Sequence, residues 1–180
     1  MSTCIAFFRG INVGAHNRLP MPELADLFDK IGIRDARTYI QSGNVVFRCT
    51  RQQRPEVARR IGNAIQNSHG FQPGVLVITI QELEHAVAVN PYPEARKDHK
   101  SLHLWFLSEE PVDPDLDALN RVKSATERFT LHRKIFYLHA PDGIGQSRLA
   151  GRVEPALGVQ ATSRNWQTVT ATLELAWHLS

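Results

Sequence analysis

Ten polar side chains in this sequence have the chemistry to hold an anion: Arg9, Asn12, Asn17, Gln41, Ser42, Asn44, Ser147, Arg148, Arg164 and Asn165. Guanidinium, amide and hydroxyl groups grip oxyanions and amide or base edges through directed hydrogen bonds, the guanidinium often with two at once. The same inventory is poor in groups that move protons. The ten come in four stretches. Phe8–Asn17 (F-R-G-I-N-V-G-A-H-N) follows a short apolar run, Cys4–Phe8, and sets two glycines among polar side chains. That composition at a strand end suits a binding loop. Gln41–Asn44 (Q-S-G-N) reads as a hairpin turn. Asp142–Leu149 (D-G-I-G-Q-S-R-L) and Thr162–Val169 (T-S-R-N-W-Q-T-V) each read as the start of a helix, where free N–H groups and the helix dipole favour an anion.

Elements must bring these stretches together. Pro20–Ile31 has helical spacing, with Leu24, Leu27, Phe28 and Ile31 on one face and Gly32 placed to end it. Arg37–Ile40 and Val45–Cys49 read as the strands of a hairpin. Arg54–Asn67 reads as a helix with Val57, Ile61, Ala64 and Ile65 inward, and Gly74–Ile80 as a strand. The order is βαββαβ, the ferredoxin-like pattern. After a linking helix at 81–89 and N-P-Y-P (Asn90–Pro93), the order resumes. Leu102–Leu107 is a strand, Asp113–Lys123 a helix, and Arg128–Leu131 with Ile135–Leu138 a hairpin. Helices are expected near Ser147–Glu154 and over Asn165–Leu179. The fold class is therefore α+β, a single domain over 1–180 of two ferredoxin-like halves, 1–80 and 81–180. The second half is imperfect and ends in helices. In such a unit the loop after the first strand and the turn between the second and third emerge on one edge. That gathers Arg9, Asn12, Asn17, Gln41, Ser42 and Asn44. The competing reading is that these amides cap their own loops.

Composition narrows the classes. Apolar residues are 42% and charged residues 22%, the balance of a soluble globular protein. No apolar run approaches the ~18 residues of a membrane helix, so no membrane partner is expected. The N-terminus lacks the features of a signal peptide, and the expected location is cytoplasmic. Two cysteines suit a reducing compartment with no disulfide framework. The topology sets Cys4 beside Cys49, as two small buried thiols or as a redox pair. Residues 1–80 hold 10 Lys+Arg against 5 Asp+Glu, and the remainder 11 against 13. The positive charge thus lies in the first half. Arg48, Arg51, Arg54, Arg59 and Arg60 form either an anion-facing patch or a solvated helix face.

Several chemistries are set aside. Neither cysteine has a C-x-x-C partner and the eight histidines are scattered, so no metal or cofactor is expected. The glycine turn at 142–149 lacks the lysine and spacing of a P-loop. No G-x-S-x-G elbow appears.

R-G-I-N-V-G (Arg9–Gly14), Y-I-Q-S-G-N-V-V-F (Tyr39–Phe47), N-P-Y-P, D-G-I-G-Q-S-R-L and S-R-N-W-Q-T-V (Ser163–Val169) resemble the signature blocks of the bacterial domain-of-unknown-function family number 1697. The resemblance covers nearly the whole chain in order. It implies one full-length α+β domain with ferredoxin-like halves, and no particular activity. Where members often carry N-K after the second glycine, this chain reads Ala15, His16, Asn17, Arg18. Where lysine commonly follows the serine of the later turn, it has Arg148. Three readings follow. The first is a binding protein for a phosphate-bearing or anionic ligand, with a nucleotide or small anion favoured over nucleic acid because the strands lack the aromatic pair that stacks bases. The second is an enzyme on a phosphorylated or acidic metabolite, using His16 or Asp142 for proton transfer. The third is a protein-interaction scaffold. Oligomeric state is not legible.

Overall fold

The structure is a computed structural model that describes every residue except Gln41, Ser42 and Ser180. The chain divides into two compact units, Met1–His85 with Thr170–Ser180, and Ala86–Val169.

The first unit is built on strand β1 (Ser2–Arg9), whose residues from Thr3 to Phe8 are all buried. An uninterrupted apolar run at this point marks a strand covered on both faces. Helix α1 (Met21–Lys30) follows, then β2 (Arg37–Tyr39), β3 (Asn44–Cys49), α2 (Arg54–His69) and β4 (Gly74–Thr79). The strands pair in the order β2-β3-β1-β4, every pairing antiparallel, which is the ferredoxin-like arrangement. Period two along β1 sends Cys4, Ala6 and Phe8 to the helix-covered face, where they meet Leu24, Leu27 and Phe28 of α1 and Val57, Ile61 and Ile65 of α2. Phe28, fully buried, lies edge-on to Phe8 at 6.3 Å and tilted against Phe47 at 5.2 Å. Burying such a ring contributes roughly 2–3 kcal/mol. Thr50 and Gln53 form a capping box ahead of α2, and Gly70 at φ 76° ends it.

The second unit repeats the plan: β5 (Leu102–Leu107), α4 (Leu116–Val122), β6 (Arg128–His132), β7 (Ile135–His139), α5 (Val153–Leu157) and β8 (Ala161–Asn165). Its sheet order, β6-β7-β5-β8, is the same permutation. Trp105, Leu107, Phe136 and Leu138 face Leu119 of α4 and Val153, Ala156 and Leu157 of α5. Helices α3 (Ile80–Ala88) and α6 (Trp166–Trp177) carry the chain from one unit to the other.

Three expectations are corrected. The second half is a complete βαββαβ unit, because 161–165 form β8 instead of a helix cap. The run A-T-S-R-N is short and polar, and β5 recruits it as an edge partner from His103↔Asn165 to Leu107↔Ala161. The helix expected near Ser147–Glu154 is two single 3-10 turns, at Ile144–Gln146 and Ala150–Arg152, followed by α5. Cys4 and Cys49 are joined in a disulfide, which overturns the expectation of no disulfide and the reading as two free buried thiols. Ser2 lies across from Cys49, so Cys4 sits diagonally to it with a Cα–Cα distance of 6.2 Å, inside the range a disulfide spans. Among the described residues no helix is long and apolar enough to cross a membrane.

Candidate functional site

Where β1 leaves its sheet at Arg9, the backbone turns through Gly10 at φ 75°, Asn12 at 53°, Gly14 at 59° and Asn17 at 52°. Left-handed conformations are open to glycine and tolerated by asparagine, whose short amide bonds to nearby backbone. The asparagines do this here. Asn12 Nδ2 donates to the Leu19 carbonyl and Asn12 Oδ1 accepts from the Leu19 N–H, both at 2.8 Å. Asn17 Nδ2 donates to the Gly10 carbonyl at 2.9 Å, and the Asn12 N–H to the Asn17 carbonyl at 3.0 Å. Buried Ile11 and Leu19 anchor the two ends, while Val13 at the tip is 66% exposed. The β2–β3 turn closes on the same edge: the Phe8 N–H donates to the Gly43 carbonyl at 2.9 Å, and buried Asn44 donates through Nδ2 to the Tyr39 carbonyl at 3.0 Å. Gly43 is required there. Its φ is 73°, and a Cβ would strike Ile11 and come within 2.8 Å of Phe8 Cβ.

Arg9, Asn12, Asn17 and Asn44 therefore share one edge of the first sheet. Gln41 and Ser42, expected beside them, lie outside the described residues. Asn12, Gly14, Arg18, Leu19 and Pro20 line a recess of about 380 Å³ on this edge. From Phe8 to Pro20 the chain carries Arg9, His16 and Arg18 and no carboxylate. Arg18, the basic residue after Asn17, joins the site through this recess.

The other four candidates belong to the second unit. The β7 end at His139 lies across from Leu102, and the β8 end at Asn165 across from His103, so both polar stretches leave one edge of that sheet. Ser147 Oγ accepts from the Ala150 N–H at 3.0 Å, and Arg148 is exposed. Arg164 is not at a helix start but within β8, 8% exposed, with Nη1 donating to the Ser163 carbonyl at 2.8 Å. Burial pushes its guanidinium down to about 10. Asn165 caps α6, its Oδ1 accepting from the Thr168 N–H at 2.8 Å. Asp142 accepts from Thr126 Oγ1 at 2.5 Å, which ties it to the neighbouring connector.

A second polar cluster is assembled only by the fold. Arg128 meets the Glu94 carboxylate, donates to His139 Nδ1 at 3.1 Å and lies over the Tyr92 ring at 5.0 Å. Tyr92 stacks on His139 at 5.8 Å and shares a hydrogen bond with Thr130 Oγ1 at 2.8 Å. Burial raises the Tyr92 phenol, while burial and then Arg128 hold the His139 imidazole below its usual range. Every group has a partner, so the cluster locks N-P-Y-P onto the β6–β7 hairpin. The residues come from positions 92 to 139, and only Tyr92 sits in a block distinctive enough to notice.

Comparison with known proteins places the chain in a family. The family described as "Protein of unknown function (DUF1697)" matches residues 1–137, and the chain belongs to it. Among solved structures, the chain is similar to the conserved bacterial protein SP0830 from Streptococcus pneumoniae. The two are 18% identical with a TM-score of 0.72, over 97% of this chain and 98% of that one. At that identity the likeness shows the fold. No curated protein matches the chain.

Proposed function

We propose that this protein binds a phosphate-bearing or otherwise anionic small ligand at the loop that leaves β1. One observation carries the reading. The loop is exposed, yet two asparagine side chains hold it in a fixed shape with four residues at positive φ. Such conformations cost about 1–3 kcal/mol each at non-glycine positions and mark sites where shape is used. A plain connector gains nothing from that order, whereas a ligand meets a loop whose ordering entropy is already lost. The side chains that the loop carries set the sign: Arg9, His16 and Arg18 with no acid among residues 8–20. A small anion is favoured over polynucleotide because no aromatic face lines the recess. Asn12, Asn17 and Asn44 act as the frame of this site rather than as its ligating groups.

Thermal melting tests the reading. Phosphate, nucleotides and a panel of anionic metabolites should raise Tm for at least one compound, by a stabilisation of about 2.7 kcal/mol at a hundredfold excess over Kd. The shift should shrink with added salt. Arg18→Ala should weaken binding about tenfold, the worth of one charge-assisted contact. A panel with no response, or an equal response in Arg18→Ala, overturns the proposal.

A further inference from the structure

We infer that the opposite edge of the first sheet carries a separate binding site for a small phosphate ester. It does not rest on the loop described above. The chain between α1 and β2 turns at Asp35, φ 60°, and with the start of β2 and the end of β3 encloses a recess of about 450 Å³. Its lining is Arg34, Asp35, Ala36, Arg37, Arg48 and Leu179. The register explains why the arginines converge. Arg37 pairs with Val46, and Arg48 lies two residues further along β3, so both belong to one face of the hairpin. Arg48 is fixed in place, with Nε and Nη2 donating to the Leu179 carbonyl at 3.1 and 2.7 Å. Among the described residues its Nη1 meets no acceptor.

Cations outnumber carboxylates among the described residues of the lining. Arg54, Arg59, Arg121 and Arg128 each reach a carboxylate. Among the described residues none of Arg34, Arg37 and Arg48 has an ion pair within 4.0 Å, and Asp35 is the one carboxylate in the lining. Three guanidinium groups in one concavity repel one another and focus a positive potential, which an anion relieves. Their planar forks match the oxygens of a phosphate. The recess falls within the size range of small-molecule sites. It offers no aromatic side chain on which bases could stack, which favours a small ester over a nucleic acid. Asp35 adds one acceptor, suited to a hydroxyl beside the phosphate, as in a sugar phosphate.

Titration by NMR tests this, with inorganic phosphate, ribose 5-phosphate and a single-stranded oligonucleotide as probes. Ribose 5-phosphate should move the amide resonances of residues 34–37 and 48 and bind more tightly than inorganic phosphate. Arg37→Ala and Arg34→Ala should each weaken it about tenfold. Both positions are exposed, so these variants fold; Arg37→Lys, which keeps the charge and loses the fork, should fall between wild type and Arg37→Ala. The inference is overturned if ribose 5-phosphate moves none of these resonances, if Arg37→Ala binds as wild type does, or if the oligonucleotide alone binds there.

Discussion

The loop after β1 and the loop after β5 hold the same position in two sheets of identical strand order. The first, F-R-G-I-N-V-G-A-H-N-R-L-P, carries Arg9, His16 and Arg18 and no acid. The second, S-E-E-P-V-D-P-D over residues 108–115, carries Glu109, Glu110, Asp113 and Asp115 and no base. Asparagine amides bonded to backbone brace the first. In the second, Asp115 serves as the N-cap of α4, with Oδ1 accepting from the Ala118 N–H at 2.8 Å. One architecture thus presents opposite charge at equivalent places. The fold supplies a position, and the loop residues alone decide what that position attracts.

The units also differ in how they are held, and the largest expected effect lies there. The first sheet is cross-linked by Cys4–Cys49, closing a sequence separation of 45, and the two cysteines of the chain are both used in it. In the chain-entropy account a loop of that length contributes roughly 4 kcal/mol. Denaturant melts with and without a phosphine reductant should therefore separate by a loss of about that size. The second sheet offers nothing for the reductant to act on. An unchanged midpoint on reduction would remove this distinction between the units.

Much of this was legible in the residues. The helical faces of 24–31 and 57–65 and the apolar run of β1 follow from burial periodicity, and the element order gave the convergence of the first two polar stretches. β8 is not legible because A-T-S-R-N has neither alternation nor an apolar run, and only pairing with β5 defines it. The roles of Asn12, Asn17 and Asn165 were not readable, since residue type does not say whether an amide serves a ligand or its own backbone. The recess of Arg34, Arg37, Arg48 and Leu179 was hidden because its parts are brought together by strand register rather than by sequence.

The hairpin turns supply a smaller contrast. Gly43 sits at φ 73° against Ile11 and Phe8, whereas the equivalent turn of the second unit carries Arg133 at φ 51°. Gly43→Ala adds left-handed strain and a clash that the buried neighbours cannot avoid, and should cost about 3 kcal/mol. Arg133→Gly relieves strain at an exposed position, but glycine's larger unfolded-state entropy offsets most of it, leaving a gain of about 0.5 kcal/mol. Equal losses at both sites in chemical denaturation would mean that the two turns are under the same constraint.

Acid should act on the second unit through His103 on β5. The imidazole lies 6.3 Å from the Trp105 ring, centroid to centroid, and Nδ1 is buried with no hydrogen-bond partner among the described residues. Burial pushes its pKa down from 6.5 to about 4. The folded state therefore binds the proton less readily than the unfolded chain does. Stability is fully present above pH 6.5 and is lost as pH falls from there toward 4. Between pH 7 and pH 5 the loss should be about 2 kcal/mol. His139 is also held low, first by burial and then by Arg128, and adds to the loss with the same sign. His103→Leu puts an apolar side chain in place of the imidazole and removes the titration, so its stability should fall less over that interval than the wild type's. Glu56 and Glu94 have lowered pKa values, and their effects begin below this window. If wild type and His103→Leu lose the same stability between pH 7 and pH 5, the buried imidazole is not the origin of the acid sensitivity.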